Sequence, residues 1–258
     1  MEKDFSPFND VLQDRFFRRL SKRVGRAIGD FGLITENDIR ILLAVSGGKD
    51  SLALVDFMLE KQKRSPVKFE LFAFHVAMDE SVAEGVAGFL EDRHIEFEID
   101  LDSFKGVDLS NPKDRCFLCS WNRRKAIFLS AKRHNCRYVA LGHNMDDAAE
   151  TVLMNMFFQA SVSAMSPRQE MFGGEIIIIR PMIYLREFEL DALADKFSYP
   201  IVKKCAYEQD NVRSLVRGFI KRLEEGNKKI SVAKNIFLSL NNINSQYLPK
   251  YVNKSKEE

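Results

Sequence analysis

The sequence lacks the features of a secreted or membrane-bound protein. Its 258 residues include only four cysteines, and no apolar run approaches the roughly 20 residues that a membrane span needs. The first ten residues, MEKDFSPFND, contain no basic segment followed by an apolar one, as a secretory signal would. With 45% hydrophobic and 29% charged residues, the chain is expected to fold, and we predict a cytoplasmic location without membrane association.

An excess of one charge sign is also absent. The chain has 39 Lys and Arg against 37 Asp and Glu, so any contact with nucleic acid must come from local clustering. Residues 11–28 form one cluster, because apolar residues recur there at helical spacing: Leu12, Phe16, Leu20, Val24 and Ile28. The other side of this predicted helix is almost entirely basic and predicts contact with RNA phosphates, although a solvated polar face explains it equally well. Its basic residues are Arg15, Arg18, Arg19, Lys22 and Arg26.

Strand and helix patterns alternate along the central part of the chain. The predicted strands span 39–45, 67–76, 95–101, 137–143 and 175–181, and the predicted helices span 50–62, 80–93, 116–135, 146–158 and 186–197. This alternation predicts an α/β fold with a doubly wound, mostly parallel sheet. Helical patterns alone follow, over 212–225 and 231–240. We therefore predict a basic helix in 1–30, an α/β domain in 31–203 and a helical extension in 204–258.

The first predicted strand ends in SGGKDS, residues 46–51, immediately before a helix. Ligands of doubly wound sheets bind beyond the carboxyl ends of the strands. Gly47 and Gly48 allow the backbone to approach an anion, and Lys49 adds a positive charge to that of the helix N-terminus. Ser46 and Ser51 add hydroxyl donors. The loop predicts phosphate binding, with a ligand-free turn as the alternative. The Walker pattern is absent because Asp50 follows the lysine, so a kinase or GTPase is disfavoured.

SGGKDS resembles the PP-loop of the ATP-pyrophosphatases, which have a Rossmann-like fold. The resemblance implies that residues 46–51 bind ATP, that Lys49 and Asp50 act in catalysis, and that ATP is cleaved at its α-phosphate. It also places the adenine near Phe74 and His75, although His75 could equally be an ordinary histidine at a strand end. Arg180, in IIIIRP, matches a family position expected to reach a phosphate.

A second segment, LGHNMDDAAET at residues 141–151, resembles the G-H-x-x-D-D element of the same group. It implies an ATP contact at Gly142. It also implies Mg²⁺ binding at Asp146 and Asp147, since carboxylate oxygens suit that ion. One of the two could instead act as an acid or base, and we favour Asp147 as the functional, catalytic member of the pair. The alternative is that both acids only stabilise the N-terminus of a helix.

The cysteines suggest which chemistry follows activation by ATP. Cys116 and Cys119 form a C-x-x-C motif at the start of a predicted helix, where thiolates gain from the helix dipole. Cys136 opens a strand and is expected to be a buried structural residue. Cys116, Cys119 and Cys205 together could bind a four-iron cluster. These three ligands would leave one iron without a protein ligand, and that iron could bind hydrosulfide. Alternatively, Cys116 or Cys119 carries a persulfide that Cys205 resolves as a disulfide.

These motifs, with CFLCSWNRRKAIF and PIVKKCAYEQDNVR, cover most of residues 12–240 and resemble the tRNA 2-thiocytidine synthetase family. The resemblance implies ATP, Mg²⁺ and a [4Fe–4S] cluster on Cys116, Cys119 and Cys205. The implied reaction replaces O2 of an anticodon-loop cytidine with sulfur. Many members carry a second C-x-x-C where this chain has Val202 and Cys205.

The resemblance also implies partners and roles for basic residues. The implied partners are tRNA and a sulfur donor, which is either a cysteine desulfurase or free sulfide. A homodimer is the oligomeric state that we consider for the protein. Arg123 is expected to act in catalysis by orienting the nucleotide or the activated base, with a solvated arginine as the alternative. Arg124 and Lys125 are expected to contact RNA. Uridine thiolation, and an ATP-binding iron–sulfur protein without thiolation activity, remain as alternatives.

Overall fold

A six-stranded sheet organises the described part of the chain. The computed structural model describes residues 7–77, 80–107, 111, 114–201, 212–227 and 229–249. In chain order, the strands are β1 (Ile39–Val45), β2 (Phe69–Val76), β3 (Glu96–Asp100), β4 (Tyr138–Ala140), β5 (Arg168–Met171) and β6 (Ile176–Ile179). Their order across the sheet is β3-β2-β1-β4-β6-β5, and only the β5–β6 pair is antiparallel. The predicted mostly parallel α/β fold is confirmed.

Helices cover both faces of this sheet. They are α1 (Pro7–Gln13), α2 (Arg15–Asp30), α3 (Lys49–Arg64), α4 (Glu80–Glu91), α5 (Arg115–Arg133), α6 (Met145–Gln159), α7 (Glu187–Lys196), α8 (Val212–Gly226) and α9 (Val232–Ser239). Short 3-10 turns lie at Phe172–Gly174 and Ser245–Tyr247. Across the described ranges, no helix combines the length and the apolar character needed to cross a membrane.

The prediction of one continuous helix over 11–28 was wrong. The helix is interrupted at Asp14, whose Oδ1 accepts hydrogen bonds from Phe16 N (2.9 Å) and Phe17 N (3.0 Å). A carboxylate that caps the first free N–H groups starts a new helix, so α1 and α2 are separate. Phe17, Leu20 and Val24 are buried along α2, whereas Leu12, Phe16 and Ile28 lie only at the margin of the core. The five predicted RNA-contacting residues of α2 are all exposed.

Strand β5 was not predicted from the sequence. Its residues, RQEM, are mostly polar because it is an edge strand, and so they lack the apolar alternation that marks a half-buried strand. The chain reverses into β6 through Gly173 and Gly174, which have φ angles of +67° and +91°. Glycine takes such angles without steric cost, so this GG pair was the available signal for a hairpin.

Alternate residues of the strands face two different helix layers. Ile41, Leu43 and Tyr138 pack in the core shared with α2, α3 and α7, whereas Leu42 and Val139 pack against α5. The basic side of α2 and the basic residues of α5 therefore lie on opposite faces of the sheet. The C-terminal helices α8 and α9 pack on α6 through a small apolar cluster that includes Leu153 and Val216.

The topology opens a crevice beside β1. The chain runs from β1 outward to β2 and β3, then returns to β4 on the other side of β1. The connections that leave β1 and β4 therefore diverge, and such a switch point is where ligands bind in this class of sheet. The segments that follow these two strands are 46–48 and 141–144, the loops that carry the sequence motifs.

Candidate active site

The SGGKDS loop is held by its own hydroxyl groups. Gly47 has φ +79°, a conformation that favours glycine. Ser51 Oγ donates to Gly48 O at 2.9 Å and accepts from Ser46 N at 3.0 Å. Ser46 Oγ lies 3.1 Å from Ser51 Oγ and accepts from Gly48 N at 3.3 Å. Gly48 precedes α3 without a side-chain cap, so the N–H groups of the first turn of α3 retain the capacity to bind an anion.

Lys49 is surrounded by carboxylates. Its Nζ lies 3.2 Å from Asp50 Oδ1, 3.4 Å from Glu187 Oε1 and 3.4 Å from Asp191 Oδ1. Burial disfavours the charged ammonium, but the three carboxylates outweigh it and raise the pKa of Lys49. The side chain thus faces α7 rather than either cavity described below. A phosphate bound at the loop would have to compete with these acids for Lys49.

Asp50 is a partly buried carboxyl group next to the loop. Burial raises its pKa to about 6, Lys49 opposes this shift and the charge of Asp147 adds to it. Asn144 Nδ2 lies 3.4 Å from Asp50 Oδ2. Asp50 can therefore exchange a proton near neutral pH, as a general acid or base must.

The second loop approaches the first closely at Gly142. A Cβ at this position would lie 3.2 Å from Asp50 C and 3.2 Å from Ser51 N, both backbone atoms that cannot move away easily. Gly142 thus allows the two loops to pack. Asn144 caps α6 by accepting from Asp146 N (2.9 Å) and Asp147 N (3.2 Å).

The two acids of the second loop have different environments. Asp146 is paired with Arg186, with 2.9 Å from Oδ1 to Nη2, and accepts from Glu187 N at 2.7 Å. It therefore ties α6 to the start of α7. Asp147 Oδ2 accepts from Asn144 N at 3.0 Å, and Oδ1 lies 3.4 Å from Arg213 Nη1. Asp147 lines the smaller of the two cavities described next, and Asp146 lines neither of these two.

Two cavities lie beyond the carboxyl ends of β1 and β4. The smaller, about 330 Å³, is lined by residues that include Ser46, Ser51, Phe74, Gly142 and Asp147, and we call it the loop cavity. The larger, about 830 Å³, is lined by residues that include Cys116, Cys119, Met165, Gln169 and Ile178, and we call it the cysteine cavity.

The two cavities share part of their walls. The residues that line both are Arg123, Ile127, Leu141, His143 and Arg213. A group activated in the loop cavity would consequently be close to a group held in the cysteine cavity. This adjacency joins motifs that lie about 70 residues apart in the sequence, SGGKDS and C-x-x-C.

The cysteines differ in environment. Cys116 is exposed and Cys119 half-buried, and both are free thiols. Cys136 is buried, as predicted, and burial raises the pKa of its thiol to about 11. Cys205 belongs to residues 202–211, outside the described residues. Within the ranges that are described, no three His, Cys, Asp or Glu side chains are grouped to hold a metal ion.

The remaining predicted residues are spread around the two cavities. Phe74 lines the loop cavity, whereas the neighbouring His75 is outside the lining of both cavities and its Nδ1 lies 2.8 Å from Val45 O. Arg180 lines the cysteine cavity and contacts protein atoms through its guanidinium group, among them Gln169 Oε1 at 3.4 Å. Arg124 lines the cysteine cavity, and Lys125 is exposed, with its Nζ over the ring of Trp121.

Apart from the apolar Ile127 and Leu141, sequence reasoning missed two residues of the shared wall, His143 and Arg213. His143 lies within the G-H-x-x-D-D element, and Arg213 ends the PIVKKCAYEQDNVR stretch, so both stood in segments already singled out. Arg213 Nη1 lies 3.4 Å from Asp147 Oδ1 and 3.9 Å from Glu150 Oε2. Arg180 Nε donates to His143 Nδ1 at 3.3 Å, which leaves the proton of a neutral His143 on Nε2.

The neutral state of His143 has a consequence for stability. Burial lowers its pKa to about 4, opposed by Asp147 and reinforced by Arg180, Arg213 and Arg124. Because an exposed histidine titrates near 6.5, the unfolded chain binds the additional proton between about pH 6.5 and 4. Stability contributed by neutral His143 is therefore complete above pH 6.5 and is lost as the pH falls.

We expect His143→Gln to remove this pH dependence. Between pH 7 and pH 5 the wild-type protein should lose about 1–2 kcal/mol of unfolding free energy relative to the variant, measured by urea denaturation. Asp50 titrates with the opposite sign, but it is present in both proteins and cancels in the comparison. A constant difference between the two proteins across this pH range would contradict the assignment.

Comparisons with known proteins agree with this geometry. The parallel sheet and the SGGKDS loop at β1 are those of a PP-loop protein, and a family model described as a PP-loop domain matches residues 16–222. A tRNA-cytidine(32) 2-sulfurtransferase from Geobacter metallireducens is 32% identical over 253 residues, 93% of this chain and 95% of the relative. The corresponding protein from Geotalea uraniireducens is 33% identical over 249 residues, 92% of this chain and 96% of the relative. The chain belongs to the tRNA-cytidine 2-sulfurtransferase family of PP-loop proteins.

A solved structure shows the same fold. The U34-tRNA thiolase NcsA from Methanococcus maripaludis, determined with its [4Fe–4S] cluster, superposes with a TM-score of 0.70 at 26% identity. The match covers 88% of this chain and 80% of that chain.

Proposed function

We propose that this protein is an ATP-dependent tRNA sulfurtransferase that converts an anticodon-loop cytidine to 2-thiocytidine. The observation that carries the proposal is the shared wall of the loop cavity and the cysteine cavity. Activation of the base and delivery of sulfur require two sites within reach of one atom, C2 of the cytosine. The names of the relatives supply the base, and the arrangement of the two cavities is consistent with that chemistry.

In the first step, ATP lies on the SGGKDS loop. Cytosine O2 attacks the α-phosphate, so an O–P bond forms, the bond to the β-phosphate breaks, and pyrophosphate leaves. Uncapped N–H groups of the first turn of α3 stabilise the charge that develops on the phosphates. Lys49 would add its charge by turning from the carboxylates of Glu187 and Asp191 towards the loop. Phe74 provides an apolar surface for the adenine. Asp147 would hold Mg²⁺, because it is the acid of the pair that lines this cavity and Asp146 is engaged by Arg186.

In the second step, sulfur replaces the activated oxygen. A [4Fe–4S] cluster held by Cys116, Cys119 and Cys205 would supply the sulfide nucleophile. The chemistry of the donors fits, since Cys116 and Cys119 are free thiols three residues apart on one helix. A C–S bond forms at C2, AMP departs with the original oxygen, and one proton is released to solvent. Arg123, which lies in the shared wall, would orient the nucleotide or the activated base during this step.

The partners follow from this reaction. The target base must be unstacked to reach a cavity, which costs less in a loop than in a helix. Arg124, Lys125 and the basic face of α2 are proposed to contact tRNA phosphates. The basic side of α2 and helix α5 lie on opposite faces of the sheet. One tRNA could contact both only by wrapping around the sheet edge formed by the carboxyl ends of β1 and β4. Alternatively, a homodimer would combine the α2 surface of one subunit with the α5 surface of the other. A cysteine desulfurase or free sulfide would renew the sulfur, in the cytoplasm.

An anaerobic reaction with ATP, Mg²⁺, sulfide and unmodified tRNA tests the proposal. We expect AMP, pyrophosphate and 2-thiocytidine in equal amounts, measured by nucleotide chromatography and by mass spectrometry of the tRNA nucleosides. Formation of 2-thiouridine would instead show that the base is wrong. Thiolation by iron-free protein with a persulfide donor would contradict the cluster. Absence of AMP formation with correctly folded, iron-loaded protein would contradict ATP activation itself.

A further inference from the structure

The outer surface of α5 exposes aromatic side chains next to the cysteine cavity. Phe117 is 69% exposed and Trp121 is 50% exposed. Spaced four residues apart, they lie on the same side of the helix, one turn from each other. The opposite side of α5 is anchored, because Ala126 is buried against the sheet and the buried Ser130 has its Oγ 3.3 Å from Glu98 Oε2 of β3. The two rings are thus presented on a fixed helix rather than on a loop.

The same helix is basic throughout. Residues 115–133 contain six Lys and Arg and no Asp or Glu. Lys125 Nζ lies 5.4 Å from the ring centroid of Trp121, a cation–π contact that places a positive charge beside the exposed ring. An apolar protein surface would complement the aromatic rings but not this uniform charge. Single-stranded RNA complements both, through its bases and its phosphates.

The position of the rings relates them to the cysteines. Cys116, Cys119, Ser120 and Arg124 line the cysteine cavity, and they alternate along α5 with Phe117 and Trp121. A nucleotide stacked on Trp121 would consequently lie at the mouth of the cavity that the target base has to enter. Stacking of a neighbouring base offsets part of the cost of unstacking the target.

We propose that the Phe117–Trp121 face of α5 is a stacking platform for an unpaired RNA nucleotide adjacent to the base that is thiolated. This inference rests on the proposed function and deepens it, because it assigns the tRNA contact to aromatic stacking in addition to phosphate pairing. Trp121 carries the stacked base, Phe117 extends the surface, and Lys125 pairs with the phosphate of that nucleotide.

Trp121 is the single tryptophan of the chain, so the tryptophan fluorescence of the protein reports directly on the platform. Holoprotein is titrated with an unmodified anticodon stem-loop RNA, and separately with a blunt RNA duplex of equal length. Binding is followed by anisotropy of labelled RNA and contact by emission of Trp121. We expect the stem-loop to quench the emission at saturation and the duplex to bind weakly without quenching.

Variants separate stacking from charge. Trp121→Ala should weaken stem-loop binding about 5- to 150-fold without changing the salt dependence, since a stacked base contributes on this scale. Trp121→Phe should restore most of the affinity. Lys125→Ala should instead reduce the slope of log affinity against log salt concentration by about one. Leu129→Ala is the matched control, because Leu129 is 50% exposed, as Trp121 is, lies two turns further along the same helix and lines neither cavity.

The experiments distinguish a failure of the stacking platform from a failure of the proposed function. If Trp121→Ala binds and thiolates tRNA with wild-type KM, or if stem-loop binding leaves the emission unchanged, the platform is refuted and the proposed function stands. Emission that responds only to protein concentration or to an added cysteine desulfurase would also refute it, in favour of a protein interface. If wild-type holoprotein neither binds nor thiolates tRNA, the proposed function fails as well.

Discussion

Replacement of Cys116 or Cys119 by serine should abolish thiolation while ATP activation continues. Both thiols line the cysteine cavity, and neither is among the residues that line the loop cavity. A serine hydroxyl is a poor ligand for iron, so the nucleophile would not be delivered although the base is still adenylated. We expect 2-thiocytidine formation to fall on the order of 10³-fold or more, as when a nucleophile is removed. Pyrophosphate release and iron content should be measured in the same preparation.

Cys136→Ala is the matched control for these variants. Cys136 is buried and faces neither cavity, so its replacement removes a cysteine without touching the proposed sulfur chemistry. It should cost about 1 kcal/mol of unfolding free energy through loss of packing, with iron content and thiolation preserved. If the iron content falls equally in all three variants, iron binding does not depend specifically on Cys116 and Cys119. Serine variants that still thiolate tRNA would refute the role of the C-x-x-C motif.

Replacement of Lys49 by alanine should slow pyrophosphate release about 10²- to 10³-fold, the typical effect of removing one group that stabilises developing charge. The loss should appear mainly in kcat, because the phosphates gain charge along the reaction. The side chain lies among Asp50, Glu187 and Asp191. Its removal also leaves these acids without their cation, so a loss of stability accompanies the variant and must be separated from the kinetic effect.

Lys61→Ala provides that separation. Lys61 is on the same helix, α3, its side chain is 16% exposed against 14% for Lys49, and it pairs with a nearly buried acid, Glu60, at 2.9 Å. It lies at the far end of α3 from the SGGKDS loop. Both variants should lower the unfolding temperature, but only Lys49→Ala should slow pyrophosphate release. Equal kinetics in the two variants would show that Lys49 has a structural role only.

The fold was largely predictable because hydrophobic periodicity reports burial directly. The buried strand IRILLAV and the strand–helix alternation led to the parallel sheet that the structure has. The prediction failed where local chemistry overrode periodicity. Asp14 interrupts an otherwise continuous apolar stripe by capping α2, and the edge strand β5 has too few buried residues to produce a pattern.

The candidate site was predictable where glycine and lysine imposed a local geometry. SGGKDS forms its loop from neighbouring residues, with Gly47 at positive φ, so the motif alone determined its shape. The different environments of Asp146 and Asp147 were not readable from the sequence, because Arg186 of a distant segment engages one of them. Likewise, Phe74 of β2 lines the loop cavity and the next residue, His75, does not. Successive side chains of a strand point to opposite faces of the sheet, so the sequence shows that the two residues differ. Only the structure shows which of the two faces the cavity.

The sequence by itself determined the family, the sheet and the phosphate-binding loop, since each depends on residues that are close together along the chain. Only the tertiary structure decided that the loop cavity and the cysteine cavity share a wall. That wall combines Arg123 of α5, His143 of the second loop and Arg213 of α8. The physical reason is the return of the chain from β3 to β4 across β1, which brings the ends of distant strands and helices to one edge of the sheet.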